Sequence, residues 1–181
     1  MKQVPPFPAE VVRALEEYAL HAESKVDSLF TNFILFCIFS SCRIGDATKI
    51  REVEFSRCHD IFLVEAATSE AKNTNTMERR RMLLPFTAIG WCLHPNPWRI
   101  KWQMQLEAMK PETIMPAFSE VSGQFLKRHI TTAEACGLGR FWYVRALLQC
   151  KLQSAVPTAA KQPYLRGLAS LVVSQWMSDG C

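Results

Sequence analysis

The side chain best suited to chemistry in the first half of the chain is Arg43. It directly follows a strongly apolar stretch, residues 33–42 (FILFCIFSSC), which should form a buried helix. A guanidinium group that emerges from a core helix is costly unless it has a partner, and its fork of donors suits a phosphate or a carboxylate. Arg43 therefore either pairs with Asp46 or Glu52 at a helix junction or points at an external anion.

Five further basic residues could meet an acidic partner. Lys72 lies in a polar stretch between two predicted strands, where an exposed hairpin lysine is the simpler interpretation. Arg79, Arg80 and Arg81 follow it, but alternate residues of a strand point to opposite faces, so all three cannot contact one partner. A solvated charge run is the alternative for this triplet. Arg166 lies near the start of the last apolar helix, where it either binds an anion or occupies the surface of the first turn.

The hydrophobic pattern predicts the elements that must position these residues. Residues 1–8 hold three prolines and should be an irregular lead-in to one domain over residues 9–181. Helices are predicted over Ala9–Ser24, from a cap at Asp27 or Ser28 through Phe39, over Ala47–Val53, Trp98–Met109 and Leu165–Trp176, and from a capping box at Thr131 towards Cys150. Strands are predicted over Asp60–Thr68 and Arg81–Pro85, with loops over Ser69–Met77, Pro95–Pro97 and Pro111–Gly123. On the first helix, the apolar stripe runs through Val12, Leu15 and Ala19, and Glu16 is expected off it.

This order of elements indicates a mainly helical α+β domain, in which a helical bundle carries a small antiparallel β-hairpin or sheet. The tryptophans, Trp98 and Trp102 among them, have a spacing that favours core packing over base stacking. His129, which precedes the capping box, is expected at the surface. The adjacent pair Cys58 and His59 cannot be taken as a nucleophile and its base from sequence proximity alone.

Three short motifs follow one another along these elements. Residues 41–46 (SCRIGD) come after the apolar helix, residues 71–85 place a lysine in a hairpin before a strand that ends in LLP, and residues 163–170 (PYLRGLAS) open the last helix. In this order they resemble the catalytic domain of tyrosine recombinases, the phage-integrase family, and especially the divergent sequences of protist mobile elements. The resemblance spans roughly residues 11–181 and is closest over residues 33–85.

The resemblance implies a specific chemistry. In that family a tyrosine attacks the scissile DNA phosphate and becomes linked to a 3′-phosphate, without a metal ion or a cofactor. Arg43 and Arg166 would be the two catalytic arginines, because a planar guanidinium is shaped to receive the negative charge of a phosphorane. Lys72 would be the general acid that protonates the 5′-oxygen leaving group. Asp46 would support Arg43 by orienting it.

The implied partner is double-stranded DNA, bound by several protomers of the chain. Arg79, Arg80 and Arg81 would grip the DNA backbone. No small-molecule cofactor and no membrane are expected to be involved. The implied process is DNA strand cleavage and rejoining in DNA integration or recombination.

The third motif departs from the family pattern. Pro163 occupies the position of the family's histidine and can neither donate nor accept a proton. Trp176 lies too close to Arg166 to fill the later His or Trp position, Tyr164 precedes Arg166, and Tyr143 lies in an apolar helix. The domain is therefore expected to be partial, to lack the nucleophile segment and to be incomplete or inactive as an enzyme. A catalytically dead DNA-binding remnant and a helical protein-interaction domain remain the alternatives.

Composition agrees with an intracellular globular domain. The chain has 181 residues, 49% of them hydrophobic and 21% charged, which excludes a disordered, collagen-like or coiled-coil protein. Residues 1–90 hold 11 basic and 12 acidic side chains, whereas residues 91–181 hold 10 basic and 5 acidic ones. That basic half fits a polyanionic partner, although an ordinary surface explains it equally well. Seven cysteines without a CxxC pair indicate reduced thiols, and no signal peptide is recognisable, so a nuclear or cytoplasmic location is expected.

Overall fold

The structure is a computed structural model that describes residues 9–70, 83–90 and 93–138. Its elements, in chain order, are α1 (Ala9–His21), α2 (Lys25–Ser40), α3 (Ile44–Ala47), β1 (Val53–Cys58), β2 (Ile61–Thr68), β3 (Leu84–Ile89), α4 (Arg99–Met109), β4 (Pro116–Ser119) and β5 (Gln124–His129). Residues 132–138 are also helical. The α+β class with a small antiparallel sheet is therefore confirmed.

Helix α2 forms the centre of the hydrophobic core. It is apolar nearly all round, and every residue from Val26 to Cys37 is buried. The helix packs against α1, α4 and β3, and the ring of Phe36 lies 5.8 Å from that of Trp102 on α4. The prediction of a buried helix here is confirmed, because a helix with no polar face can only lie inside the fold.

The start of α2 differs from the prediction. The N-cap is Ser24, whose side chain accepts a hydrogen bond from the Asp27 N–H at 3.4 Å, so the expected cap at Asp27 or Ser28 is wrong. Asp27 lies in the first turn instead and accepts a 2.9 Å hydrogen bond from the buried Tyr18 hydroxyl. This bond joins α1 to α2 inside the core.

Helix α1 buries an acidic side chain together with its apolar stripe. The predicted helix is confirmed, but Glu16 is fully buried, and its expected position off the stripe is wrong. Its spacing explains this result, since Glu16 follows Val12 by four residues and precedes Ala19 by three. The carboxylate accepts hydrogen bonds from the backbone N–H groups of Leu93 at 2.9 Å and His94 at 3.0 Å. Glu16 therefore fixes the segment that leads into α4.

The first sheet has three antiparallel strands in the order β1-β2-β3. Val64 of β2 and Ala88 of β3 are cross-strand partners on the face that packs into the core, and both are buried. The predicted strand over residues 60–68 is confirmed as β2. The helix predicted over residues 47–53 is wrong, because α3 ends at Ala47 and β1 begins at Val53. The expected start of the returning strand at residue 81 lies outside the described residues.

A second, two-stranded sheet follows α4, a helix that was predicted correctly. β4 and β5 lie within and just after the segment predicted to be a loop over residues 111–123, so that prediction is wrong for the four residues of β4. The rings of Phe118 and Phe125 lie 5.3 Å apart across the hairpin. Gly123 turns the chain between the strands with a φ of +65°, a conformation that suits glycine.

The predicted capping box at Thr131 is confirmed. The Thr131 hydroxyl accepts a hydrogen bond from the Glu134 N–H at 3.2 Å, and the Glu134 carboxylate accepts one from the Thr131 N–H at 2.9 Å. The lead-in over residues 1–8 and the helix predicted over residues 165–176 lie outside the described residues. Among the helices that are described, none has the length and apolar character needed to cross a membrane.

Candidate functional site at the Arg43 corner

Residues 41–50, which we call the Arg43 corner, follow α2 and include the short helix α3. Ser41 adopts the left-handed conformation with a φ of 54°. Its N–H donates to the carbonyl of Ile38 at 3.2 Å, and the N–H of Cys42 donates to the carbonyl of Cys37 at 3.2 Å. These two bonds are those of a Schellman motif, which satisfies the last carbonyls of a helix. The direction of the chain at Arg43 is therefore set by the end of the core helix.

Arg43 begins the next short helix with its backbone and leaves its side chain free. Its carbonyl accepts hydrogen bonds from the N–H groups of Asp46 at 3.0 Å and Ala47 at 2.9 Å. The residue is exposed, and among the described residues it forms no ion pair with Asp46 or Glu52. The alternative in which Arg43 stabilises a helix junction through an ion pair is therefore not what the structure displays. Its guanidinium can receive an external anion.

Asp46 is buried, in contrast to Arg43, and is only 8% exposed. A side-chain hydrogen bond from Cys37 lowers the pKa of the nearby Cys42 thiol. Burial, and to a smaller extent the negative charge of Asp46, oppose this effect, and the net pKa of Cys42 lies below its ordinary value. Burial raises the pKa of Cys37 well above the usual range. The pKa values of these two neighbouring thiols are therefore shifted in opposite directions.

Three other segments hold the Arg43 corner in place. Gly45 lies so close to the 132–138 helix that a Cβ there would stand 3.2 Å from the Thr132 hydroxyl. The N–H of Ile114 donates to the carbonyl of Ile50 at 3.1 Å. The third contact is Lys49, whose Nζ donates to the carbonyl of Glu70 at 2.7 Å. The corner is therefore tied to the chain just after β2 and to the segments around α4 and β5.

The contact between Lys49 and Glu70 bears on the predicted catalytic lysine. Glu70 is the last described residue before the part of the sequence that carries Lys72. Lys72 itself, the arginine triplet Arg79, Arg80 and Arg81, and Arg166 all lie outside the described residues. Arg43 and Asp46 are described, three residues apart in the Arg43 corner and without an ion pair between them, and the positions of the other predicted site residues stay predictions.

Other residues considered from the sequence are also placed. Trp98 and Trp102 are fully buried, which confirms their prediction as core residues. His129 is exposed, as expected. Cys58 and His59 are exposed, with 3.4 Å between the thiol sulfur and Nδ1. Tyr143 and Tyr164 lie outside the part of the chain that the structure describes.

Two arginines at the first sheet were not predicted as site residues from the sequence. The guanidinium carbon of Arg57 lies 5.3 Å from the centre of the Phe62 ring, and that of Arg99 lies 4.2 Å from the same point. Arg57 and Phe62 are cross-strand partners in β1 and β2, and Arg99 is the first residue of α4. Only the register of β1, a strand that was not predicted, could have revealed this grouping.

Comparisons of the chain with protein-family models, with curated proteins and with solved structures found no match. Within the described ranges, no group of three or more His, Cys, Asp and Glu side chains is placed to hold a metal ion. Function is therefore inferred from the sequence motifs and from the geometry of the Arg43 corner.

Proposed function

We propose that the chain is a DNA-binding domain of the tyrosine-recombinase type and that the Arg43 corner contacts a phosphate of double-stranded DNA. The observation that carries this proposal is the exposed guanidinium of Arg43, held at the end of a buried helix and without an ion pair to Asp46 or Glu52. A guanidinium with open donors on a fixed backbone is a suitable ligand for a phosphate oxygen.

The rigidity of the corner supports this function. The Schellman motif at Ser41 and the contact of Gly45 with Thr132 fix the backbone on both sides of Arg43. A site that stabilises developing charge must hold its donors in place before the reaction, because reorganisation would consume the stabilisation. Buried Asp46, one helical turn further on, is part of the same fixed backbone.

The path of the chain after β2 also supports it. Lys49 donates to the carbonyl of Glu70 at 2.7 Å, and Glu70 is the last described residue before the sequence reaches Lys72. A lysine delivered there would bring an ammonium donor to the phosphate that Arg43 binds. In the recombinase reaction this donor is the general acid and Arg166 is the second arginine.

The positions of the tyrosines decide whether strand cleavage is proposed in addition to DNA binding. Tyr18, Tyr143 and Tyr164 are the tyrosines of the chain, and all precede Arg166. Tyr18 is 5% exposed, and its hydroxyl donates a hydrogen bond to Asp27 in the core, so it is not available as a nucleophile. DNA binding is therefore the activity we propose first, and strand cleavage is the activity to be tested after it.

The first experiment measures duplex-DNA affinity as a function of salt for the wild type, for Arg43→Gln and for Lys72→Gln. Arg13, an exposed arginine on α1, supplies the matched control Arg13→Gln. Each lost phosphate contact should reduce the slope of log affinity against log salt by about 0.9. We expect that reduction for Arg43→Gln and Lys72→Gln but not for Arg13→Gln. A folded wild-type protein that binds no DNA at low salt contradicts the proposal and favours a protein-interaction domain.

The second experiment tests strand cleavage with a nicked duplex that traps a covalent intermediate. An active enzyme gives an adduct that survives denaturing electrophoresis and disappears in either Tyr143→Phe or Tyr164→Phe. Binding without an adduct identifies the chain as a binding domain that does not cleave. This outcome corresponds to the catalytically dead remnant among the alternatives.

A further inference from the structure

We propose that Arg57 and Arg99, held around Phe62, form a second phosphate-binding site, distinct from the Arg43 corner. The two guanidinium groups come from different elements, the β1–β2 hairpin and the first turn of α4. Both lie close to one aromatic ring, Arg57 at 5.3 Å and Arg99 at 4.2 Å from its centre. A phosphate group can accept hydrogen bonds from two such neighbouring forks at once.

The positive charge at this place is poorly compensated. Arg99 donates to the neutral side chain of Gln103 at 2.9 Å, and no described carboxylate is within ion-pair distance of it. Arg57 contacts Asp60 at 3.3 Å, but the Asp60 side chain is 99% exposed. Exposed ion pairs of this kind are weak and open readily. An incoming phosphate therefore competes with one loose carboxylate at Arg57 and with none of the described carboxylates at Arg99.

The start of α4 adds positive potential to the same place. The first turn of this eleven-residue helix holds no acidic residue, and its N-cap, Trp98, makes no capping hydrogen bond with its side chain. The positive end of a helix dipole favours a nearby anion and disfavours a cation such as Arg99. The positioning of an arginine against this dipole is explained if an anion joins it there.

The side chain of Arg99 gives an independent sign of a missing partner. Its Nε is buried and has no hydrogen-bond partner among the described residues. Burial, and then the charge of Arg57, lower the pKa of Arg99. A phosphate bound beside the two guanidinium groups would oppose the repulsion between them. The Phe62 ring contacts both guanidinium groups, and Arg57 Nε also donates to the carbonyl of His59 at 2.9 Å, so a phosphate would use the donors that these contacts leave open.

The ligand chemistry is a phosphate group, which a DNA backbone and free inorganic phosphate both supply. The DNA source rests on the proposed function, whereas the inorganic source does not. The first arm of the test therefore measures the melting temperature with increasing inorganic phosphate, at constant ionic strength set by chloride. At ten times its dissociation constant, a ligand of the folded state raises the melting temperature of a chain this size by about 3–6 °C.

The second arm repeats the salt dependence of duplex-DNA binding. Both arms use the wild type, Arg57→Gln, Arg57→Gln with Arg99→Gln, and the control Arg13→Gln. Circular dichroism verifies folding, and the single variant keeps the test valid if the double variant does not fold, because the Arg57 side chain is 60% exposed. We expect the phosphate shift to fall for Arg57→Gln and to vanish for the double variant. The slope of log DNA affinity against log salt should fall by about 1 for Arg57→Gln and by about 2 for the double variant.

The outcomes separate this site from the proposed function. Loss of the phosphate shift together with a lower DNA slope identifies a backbone contact. Loss of the phosphate shift alone identifies a site for free phosphate, and it does so even if the wild type binds no DNA and the proposed function fails. The inference is overturned if the Arg57 and Arg99 variants have the same phosphate-induced shift in melting temperature and the same DNA salt slope as Arg13→Gln. This holds even if DNA binding depends on Arg43.

Discussion

Replacing Glu16 should destabilise the protein far more than replacing any other acidic residue of α1. Glu16 is fully buried, and its carboxylate accepts hydrogen bonds from the N–H groups of Leu93 and His94. In Glu16→Ala both donors lose their acceptor. Breaking a hydrogen bond to a charged group costs about 1.5–3 kcal/mol. Leu93 is 39% exposed, so water replaces part of the loss and the lower end of that range applies.

We therefore expect Glu16→Ala to lower the free energy of unfolding by about 3 kcal/mol, counting both hydrogen bonds. Glu16→Gln keeps an acceptor oxygen and the shape of the side chain. Because neutral hydrogen bonds are about half as strong as charge-assisted ones, it should cost about 1.5 kcal/mol. Glu17→Ala, one residue along the same helix, is the matched control and should stay within about 0.5 kcal/mol of the wild type.

Urea unfolding followed by tryptophan fluorescence measures these differences, because Trp98 and Trp102 are buried in the core. A cost for Glu16→Ala that equals that of Glu17→Ala would refute the role assigned to the buried carboxylate. Glu16→Ala should also reduce the rise in melting temperature caused by inorganic phosphate, since Glu16 anchors the segment that leads into α4 and Arg99.

Two further predictions concern the capping box and the thiols. The Arg128 guanidinium, followed by the Thr131 N–H, lowers the pKa of Glu134 to about 2. Because this pKa is depressed on folding, the carboxylate contributes stability that is complete above its ordinary pKa and is lost as the pH falls through about 2. NMR titration of the Glu134 carboxylate should show this pKa. Thr131→Ala should raise the pKa of Glu134 and lower the free energy of unfolding in urea by about 1 kcal/mol. An ordinary pKa for Glu134 would contradict the hydrogen bonds described. Iodoacetamide should modify Cys42 well before Cys37, because hydrogen bonding by Cys37 lowers the pKa of Cys42 while burial raises that of Cys37. Fragmentation of the shared peptide locates the label, and equal labelling of the two thiols would count against this assignment.

Elements with strong local signals were predictable from the sequence. Helix α2 has an apolar pattern that only a buried helix fits, and the Thr131 capping box has its signature spacing of three residues to Glu134. β1 was not predictable in this way. Val53–Cys58 forms a strand because it pairs with Ile61–Thr68, and such pairing is a tertiary contact that local propensity does not contain.

The same difference between local sequence signals and tertiary contacts decides which residues of the candidate site were predictable. Arg43 could be singled out because its charge follows an apolar helix, and its exposure agrees with the anion-binding alternative. Arg57 and Arg99 could not be singled out, because they are 42 residues apart in the chain and meet only through the sheet register and the packing of α4. The spacing of Glu16 did indicate burial, because its position on α1 is a core position. Its charged side chain led to the opposite prediction.

The packing of α2 against three other elements has a consequence for how the proposed phosphate site responds to temperature. Since α2 packs against α1, α4 and β3, and since Arg43 is joined to its end by a hydrogen-bonded turn, the backbone at Arg43 keeps its position for as long as the core is intact. The exposed side chain of Arg43 rotates about this fixed point. If Arg43 binds a phosphate as proposed, heating should therefore abolish that binding together with the fold and not at a lower temperature.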